Sequence, residues 1–283
     1  ARLREAGVEA RLVYSTRPSE LDVEDLVRAW RCVEALRSTR LALLMEDAVP
    51  PGARRLSEAL GVKVVPVSRD RVLGEMQAAS REEAREVAVK RLRVVEASDR
   101  LIEAVRVYLA FRRIAVSEAC NAVTLDCFKF LEEAHVTPCI ALALLNDDGI
   151  VAACEADYES LAAMIIAREL TGRPSWMANL AGAEEGLAVL AHCTIALSIA
   201  SRWNIEKHFE TGLPYAIAGT LPKTTCTLLR LKPGYTGVWA CRGFIEQSGK
   251  LSEDRCRTQA LVRLEKPASQ LIQEAQGNHH IVA

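Results

Sequence analysis

Apolar and polar residues follow two different rhythms along this chain, and the change between them falls near residue 173. Before that point, short apolar runs alternate with stretches of helical spacing. "RLALLM" reads as a buried strand, "GARRLSEAL" as a helix and "VKVVPVS" as a second strand. Strand, helix and strand joined by short connections predict a parallel sheet. Further upstream, "ARLREAG" has the character of a helix tail closed by Gly7, and "VEARLVYST" is strand-like. "SELDVEDLVRAWRCVEALRS" predicts an amphipathic helix with Val23, Leu26, Val27, Trp30, Val33 and Leu36 at helical spacing. Residues 70–113 are helical and charge-rich, with the pattern of a solvated helical surface. "NAVTLDCF" is another strand running into the helix "CFKFLEEA". The apolar run "IVAAC" leads to a helix with Asp157 as its N-cap and Gly172 and Pro174 beyond its end.

After residue 173 the runs shorten. "LAVLAHCTIAL", "YAIAGTL", "TCTLLRLK", "TGVWACRGFIE" and "CRTQALVRLE" are strand-like and separated by turns such as "KPGY" and "QSGK". Their spacing predicts an antiparallel sheet or barrel. The fold class is therefore α/β with a mainly antiparallel β-rich C-terminal part. Residues 1–38 read as the end of a first α/β domain, 39–172 as a second, and 173–283 as the β-rich domain.

Composition narrows the function. With 36 basic and 37 acidic residues the net charge is −1, and no basic tract interleaved with aromatics points to nucleic acid. The longest apolar runs are too short or too polar to span a bilayer. Nine cysteines form an odd set without a C-x-x-C, mostly in apolar runs, and no N-glycosylation sequon occurs. Reduced, buried thiols in a cytoplasmic protein are expected. A dinucleotide fingerprint, a nucleophile elbow and an H-E-x-x-H helix are absent, and "GFIEQSGKL" has the wrong glycine spacing for a phosphate loop.

What remains is a scatter of polar residues in apolar settings. Glu155, in "ACEAD", follows an apolar strand at the edge where parallel sheets bind ligands, or else favours a helix N-terminus. His192, in "LAHCT", is flanked by apolar residues and reads as a core histidine or a ligand. The final "HHIVA" reads as extended, so His279 and His280 point to opposite faces and only one can enter a site. His135 and His208 read as surface residues. Glu155, His192 and one terminal histidine would form a carboxylate–imidazole set suited to Mn²⁺, Fe²⁺, Co²⁺ or Zn²⁺. Their spacing does not itself bring them together.

From about residue 118 onward, "NAVTLDCFKFLEE", "TPCIALALLNDDGIVAACEAD", "ELTGRPSWMAN", "AVLAHCT", "HFETGLPYAIAGTLP", "CRTQALVRLE" and "GNHH" run in an order that resembles the L-fucose/L-arabinose isomerase family, most like its shorter fucose-isomerase-like branch. The resemblance implies two α/β domains followed by a β-rich domain, with much of the first missing from this sequence. It implies a metal-dependent aldose–ketose isomerase of a free pentose, hexose or deoxysugar, acting through an enediolate with Mn²⁺ or another divalent metal. The implied metal positions are Glu155, His279 and, by likeness to a "GSH"-type strand, His192. Asn179 stands where fucose-type members carry a metal-binding aspartate, so the catalytic positions are Glu155 and Asn179. Asp126, Arg257 and Trp176 are the candidate substrate contacts, although Asp126 could equally cap the next helix. The implied setting is a cytoplasmic homo-oligomer with a small-molecule sugar as partner. The rival readings are a sugar epimerase or lyase at the same site, and a non-catalytic sugar-binding relative, which Asn179 favours.

Overall fold

The computed structural model describes residues 23–283. The expected helix tail at "ARLREAG" and the strand at "VEARLVYST" lie outside the described residues. Four parallel strands, β1 (Arg40–Leu44), β2 (Lys63–Val67), β3 (Ala122–Leu125) and β4 (Val151–Ala153), form a sheet in the order β2-β1-β3-β4. β1, β3 and β4 are almost wholly buried, which is why they read as continuous apolar runs rather than as alternation.

The connecting helices are α1 (Val23–Ser38), α2 (Pro51–Leu60), α3 (Arg69–Ala78), α4 (Arg81–Leu92), α5 (Asp99–Ser117), α6 (Cys127–Ala134), α7 (Cys139–Asp147) and α8 (Tyr158–Thr171). Local chemistry sets their ends. Ser68, Ser80 and Ser98 accept hydrogen bonds from the first turns of α3, α4 and α5, and Gly172 closes α8 in the left-handed conformation.

The solvated surface expected over residues 70–113 holds for α3 and α4 but not for α5. Leu101, Ile102, Val105, Leu109, Phe111 and Ile114 are buried in α5, which packs against α3, α4 and α7. Its apolar residues cover too much of the circumference for a single-faced surface helix. α1 also departs from the expected pattern. Leu36 turns inward with Cys32, while Val23, Leu26, Val27, Trp30 and Val33 are exposed among the described residues.

From residue 176 onward the chain is mainly β. Strands β5 (Trp176–Glu184), β6 (Leu187–His192), β9 (Thr225–Leu231), β10 (Val238–Gly249), β11 (Thr258–Leu264) and β12 (His279–Val282) close into a barrel in the order β10-β11-β6-β5-β12-β9. Closure leaves no unpaired edge in this sheet. β7 (Arg202–Lys207) and β8 (Pro214–Thr220) form a separate antiparallel pair, and α9 (Ala268–Glu274) precedes the final strand. β5 and β7 had no strand assigned from the pattern. Parallel sheet and barrel share one apolar cluster running from Leu36 to Val282. No helix among the described residues is long and apolar enough to cross a membrane.

One buried linkage fastens the barrel to the α/β part. Arg230 of β9 donates to Asp157 and Ser160 at the start of α8, to the His279 carbonyl in β12, and through Nε to the Gln276 carbonyl at 2.8 Å. The turn into β12 passes so close to this guanidinium that a Cβ on Gly277, at φ +129°, would run into it. Gly277→Ala is therefore expected to destabilise the protein by about 2 kcal/mol or more, read as a lowered urea midpoint. An unchanged midpoint would mean the Arg230 linkage is not a fixed point of the fold.

Candidate metal centre

Glu155 leaves the carboxyl end of β4 in an uncommon conformation. It and Ala156 both have positive φ, 58° and 49°. Neither is glycine, so each costs on the order of 1 kcal/mol or more. The turn is held by Ala156 N–H donating to the Leu125 carbonyl at 2.8 Å, Asp157 N–H to the Cys154 carbonyl at 3.2 Å, and Glu155 N–H to Cys127 Sγ at 3.3 Å. It points the Glu155 carboxylate toward the barrel, where β12 delivers His279.

His279 Nε2 lies 3.6 Å from Glu155 Oε1, and its Nδ1 lies 3.0 Å from Asp157 Oδ2. A carboxylate only accepts, so Nδ1 carries the proton and donates it to Asp157. The opposite nitrogen, Nε2, is buried without a hydrogen-bond partner. An imidazole held by a carboxylate on one nitrogen and bare on the other is the arrangement of a metal-binding histidine. Asp157 performs this while capping α8: one oxygen accepts from Ser160 N–H at 2.8 Å, and the other receives Ser160 Oγ, Arg230 and His279.

Electrostatics follow from this packing. Burial works against the Asp157 charge, yet the His279 hydrogen bond and the Arg230 guanidinium hold its carboxyl well below the usual carboxylate range. Glu155 is also lowered, with burial opposing and His279 and His192 favouring ionisation. His279 is raised: burial disfavours its charge, and Asp157 and Glu155 outweigh burial.

His192, at the end of β6, stacks edge-on to His279 with ring centroids 5.3 Å apart. Burial, then the neighbouring His279, pushes its pKa down to about 4. Its Nδ1 accepts Thr194 N–H at 3.3 Å, which leaves the proton of the neutral ring on Nε2. His192 thus presents an N–H at Nε2, whereas His279 stands between two carboxylates that favour its protonated form, with Nδ1 on Asp157 and Nε2 3.6 Å from Glu155. Coordination through His192 Nε2 would require loss of that proton or of the Thr194 bond.

Asn179 of β5 lies directly across from His279 in the ladder and lines the same small cavity as Glu155 and His192. Opposed residues in an antiparallel pair share a face. The remaining candidates lie elsewhere. Asp126 caps α6, accepting from Phe128 and Lys129 N–H at 3.1 Å each. Trp176 is buried, with its indole N–H on the Thr194 carbonyl at 3.1 Å. Arg257 lies over the Phe209 ring and donates to the Lys207 carbonyl. None of these three is among the residues lining the cavity.

As expected of an extended tail, His280 faces away from His279 and bonds the Ala275 carbonyl at 3.1 Å. His208, read as a surface residue, is instead buried beside Cys193, where the β7–β8 hairpin is held by Arg257 Nε donating to the Lys207 carbonyl. Asp157 and Arg230 were not identified as site residues from the sequence. The helix-cap signal located Asp157 but said nothing of its second oxygen.

Glu155, His192, Asn179 and Cys154 bring a carboxylate, an imidazole, an amide and a thiol to one cavity, a donor set that fits a divalent first-row cation. The cavity is about 20 Å³, room for an ion or about one water rather than for a sugar.

No protein-family model matches this chain. Over 100 residues it is 33% identical to a sulfoquinovose isomerase from Clostridium sp. (strain MSTE9). That stretch covers 34% of this chain and 22% of the Clostridium protein. This chain is thus similar, over about a third of its length, to a sugar isomerase.

Two measurements follow. His280 has a pKa near 4, lowered by burial and then by Arg230, against 6.5 for a free imidazole. A histidine whose folded pKa is depressed contributes stability above pH 6.5 and loses it as pH falls toward 4, where only the unfolded chain takes the proton. His280→Leu should therefore flatten the fall in melting temperature across that window, and an unaltered slope would contradict the assignment. Asp126→Ala should cost about 1 kcal/mol in denaturant unfolding, largely restored by Asp126→Ser, as for any N-cap.

Proposed function

We propose that this protein is a divalent-metal-dependent aldose–ketose isomerase acting on a free sugar. The observation that carries the reading is the meeting of Glu155 and His279, which are 124 residues apart in sequence and 3.6 Å apart in space. The likeness to a sugar isomerase supports the same class of reaction.

Isomerisation moves a hydrogen between C1 and C2 of an open-chain sugar. A divalent cation held by Glu155 and an imidazole would supply polarisation of the carbonyl and hydroxyl oxygens. Glu155, with its pKa lowered and its side chain 28% exposed, is the group that takes the proton from one carbon and returns it to the other, while the hydroxyl proton passes to the former carbonyl oxygen. His279 holds the cation through Nε2, with Asp157 fixing its ring. Asn179 contributes an amide in place of an acid, which weakens the hold on a hard ion such as Mn²⁺. Sugar entry requires the cavity lining to part. The partner is a small-molecule sugar, and sulfoquinovose, named in the Clostridium relative, is one concrete candidate.

Asn179 also favours a second reading, a sugar-binding relative without turnover. The test is to purify the protein without chelator, measure bound metal, and follow aldose–ketose conversion. The panel comprises pentoses, hexoses, deoxysugars and sulfoquinovose, each with and without Mn²⁺, Co²⁺ or Zn²⁺. Glu155→Gln is expected to lower turnover by about 10²-fold or more, the usual worth of a positioned acid–base group, and to lose metal. A variant with full metal content and full turnover would remove Glu155 from the mechanism. Tight sugar binding without product would favour the non-catalytic reading.

A further inference from the structure

Five of the nine cysteines, Cys127, Cys139, Cys154, Cys193 and Cys256, line the cavity beside Glu155. One of them stands at ligand distance. Cys154 Sγ, a Glu155 oxygen and a ring nitrogen of His192 all lie within 4.8 Å of one another. Donor atoms around one tetrahedral ion with bonds of about 2.0–2.3 Å are separated by about 3.3–3.8 Å. Closing that difference takes side-chain adjustment, not movement of a strand. His279 Nε2 lies 3.6 Å from Glu155 Oε1, so a second buried imidazole stands beside the same carboxylate.

The neutral side chain of Asn179 in the cavity lining gives the thiol a chemical reason to take part. A neutral amide there leaves a divalent ion short of one negative charge. Cys154 can supply it, because a coordinating thiol releases its proton to solvent and binds as RS⁻. Cys127 Sγ, 2.7 Å from Cys154 Sγ, is placed to donate its S–H to that thiolate. Cys127 also receives the Glu155 N–H, so one side chain ties the two proposed ligands together.

We infer that Cys154 is a metal ligand alongside Glu155 and His192, whose ring proton would move to Nδ1 at the expense of the Thr194 bond, and that the centre prefers a borderline ion such as Zn²⁺ or Co²⁺ over Mn²⁺. Thiolate sulphur favours the softer ions, whereas carboxylate and water suit Mn²⁺. This rests on reading the cavity as the metal centre of an isomerase, and the experiment separates the two claims.

Metal-free protein is titrated with Co²⁺ without oxygen, and the thiolate-to-cobalt charge-transfer absorption is recorded for wild type, Cys154→Ser, Cys127→Ser and Cys193→Ser. The band is expected in wild type, Cys127→Ser and Cys193→Ser, and absent from Cys154→Ser. Competition with a chelator should show Zn²⁺ affinity reduced about tenfold or more in Cys154→Ser, with Mn²⁺ affinity little altered. Circular dichroism checks that the variant folds. X-ray absorption of Zn²⁺-loaded wild type needs no variant and should show a sulphur neighbour at about 2.3 Å. A band that persists in Cys154→Ser, one that follows Cys193, or a zinc shell without sulphur overturns the inference. Cobalt bound through Cys154 with no sugar turned over leaves the ligand standing and removes the isomerase. Turnover with Mn²⁺ and no sulphur ligand does the reverse.

Discussion

Asp157 sits at the first turn of α8, and its two oxygens serve two structures at once. One caps the helix by accepting Ser160 N–H; the other takes the Nδ1 proton of His279 and the charge of Arg230. A buried carboxylate is tolerated only when its lone pairs are filled and a positive partner stands close. Here those partners come from the barrel, so the charge is stable only when β9 and β12 are docked on α8. Docking, histidine tautomer and helix start are therefore coupled. The Arg230 bonds to the Gln276 and His279 carbonyls extend the coupling to the backbone that carries the ligand.

The positive φ values at Glu155 and Ala156 acquire a reason from this arrangement. A relaxed exit from β4 would carry the carboxylate away from the barrel. Two left-handed residues reverse the chain within one turn, and three backbone hydrogen bonds to Leu125, Cys154 and Cys127 hold it there. Strain of this kind persists where surrounding contacts over-determine it, and it gathers at functional sites. The site lies at the carboxyl edge of a parallel sheet, where open α/β sheets place ligands.

Around Glu155 the structure sets unlike groups side by side. His279 is held between two carboxylates that favour its charge, and His192 is kept neutral by burial with a proton on Nε2. The amide of Asn179 and the thiol of Cys154 complete the lining. Each differs from its neighbour in charge or proton inventory.

Much of the fold was legible in the sequence because its signals are local. Parallel strands, capped helices and the change to β texture near residue 173 each follow from periodicity and turn chemistry within a dozen residues. The opposite facing of His279 and His280 follows from the two-residue repeat of a strand. Glu155 was singled out by its place at a strand exit, and the choice of His279 over His280 came from the resemblance. What the sequence left hidden depends on contacts between distant segments. α5 looked like a surface helix until the sheet and three helices closed around it. His208 looked exposed until it was packed beside Cys193. Asp126 and Asp157 carry the same cap signal, but only Asp157 meets the barrel, and Cys154 reads as any small core residue until Glu155 and His192 surround it. Local pattern determined which elements form and where they end. Tertiary packing alone decided which polar atoms were left buried and facing one another, because that depends on how non-adjacent segments dock.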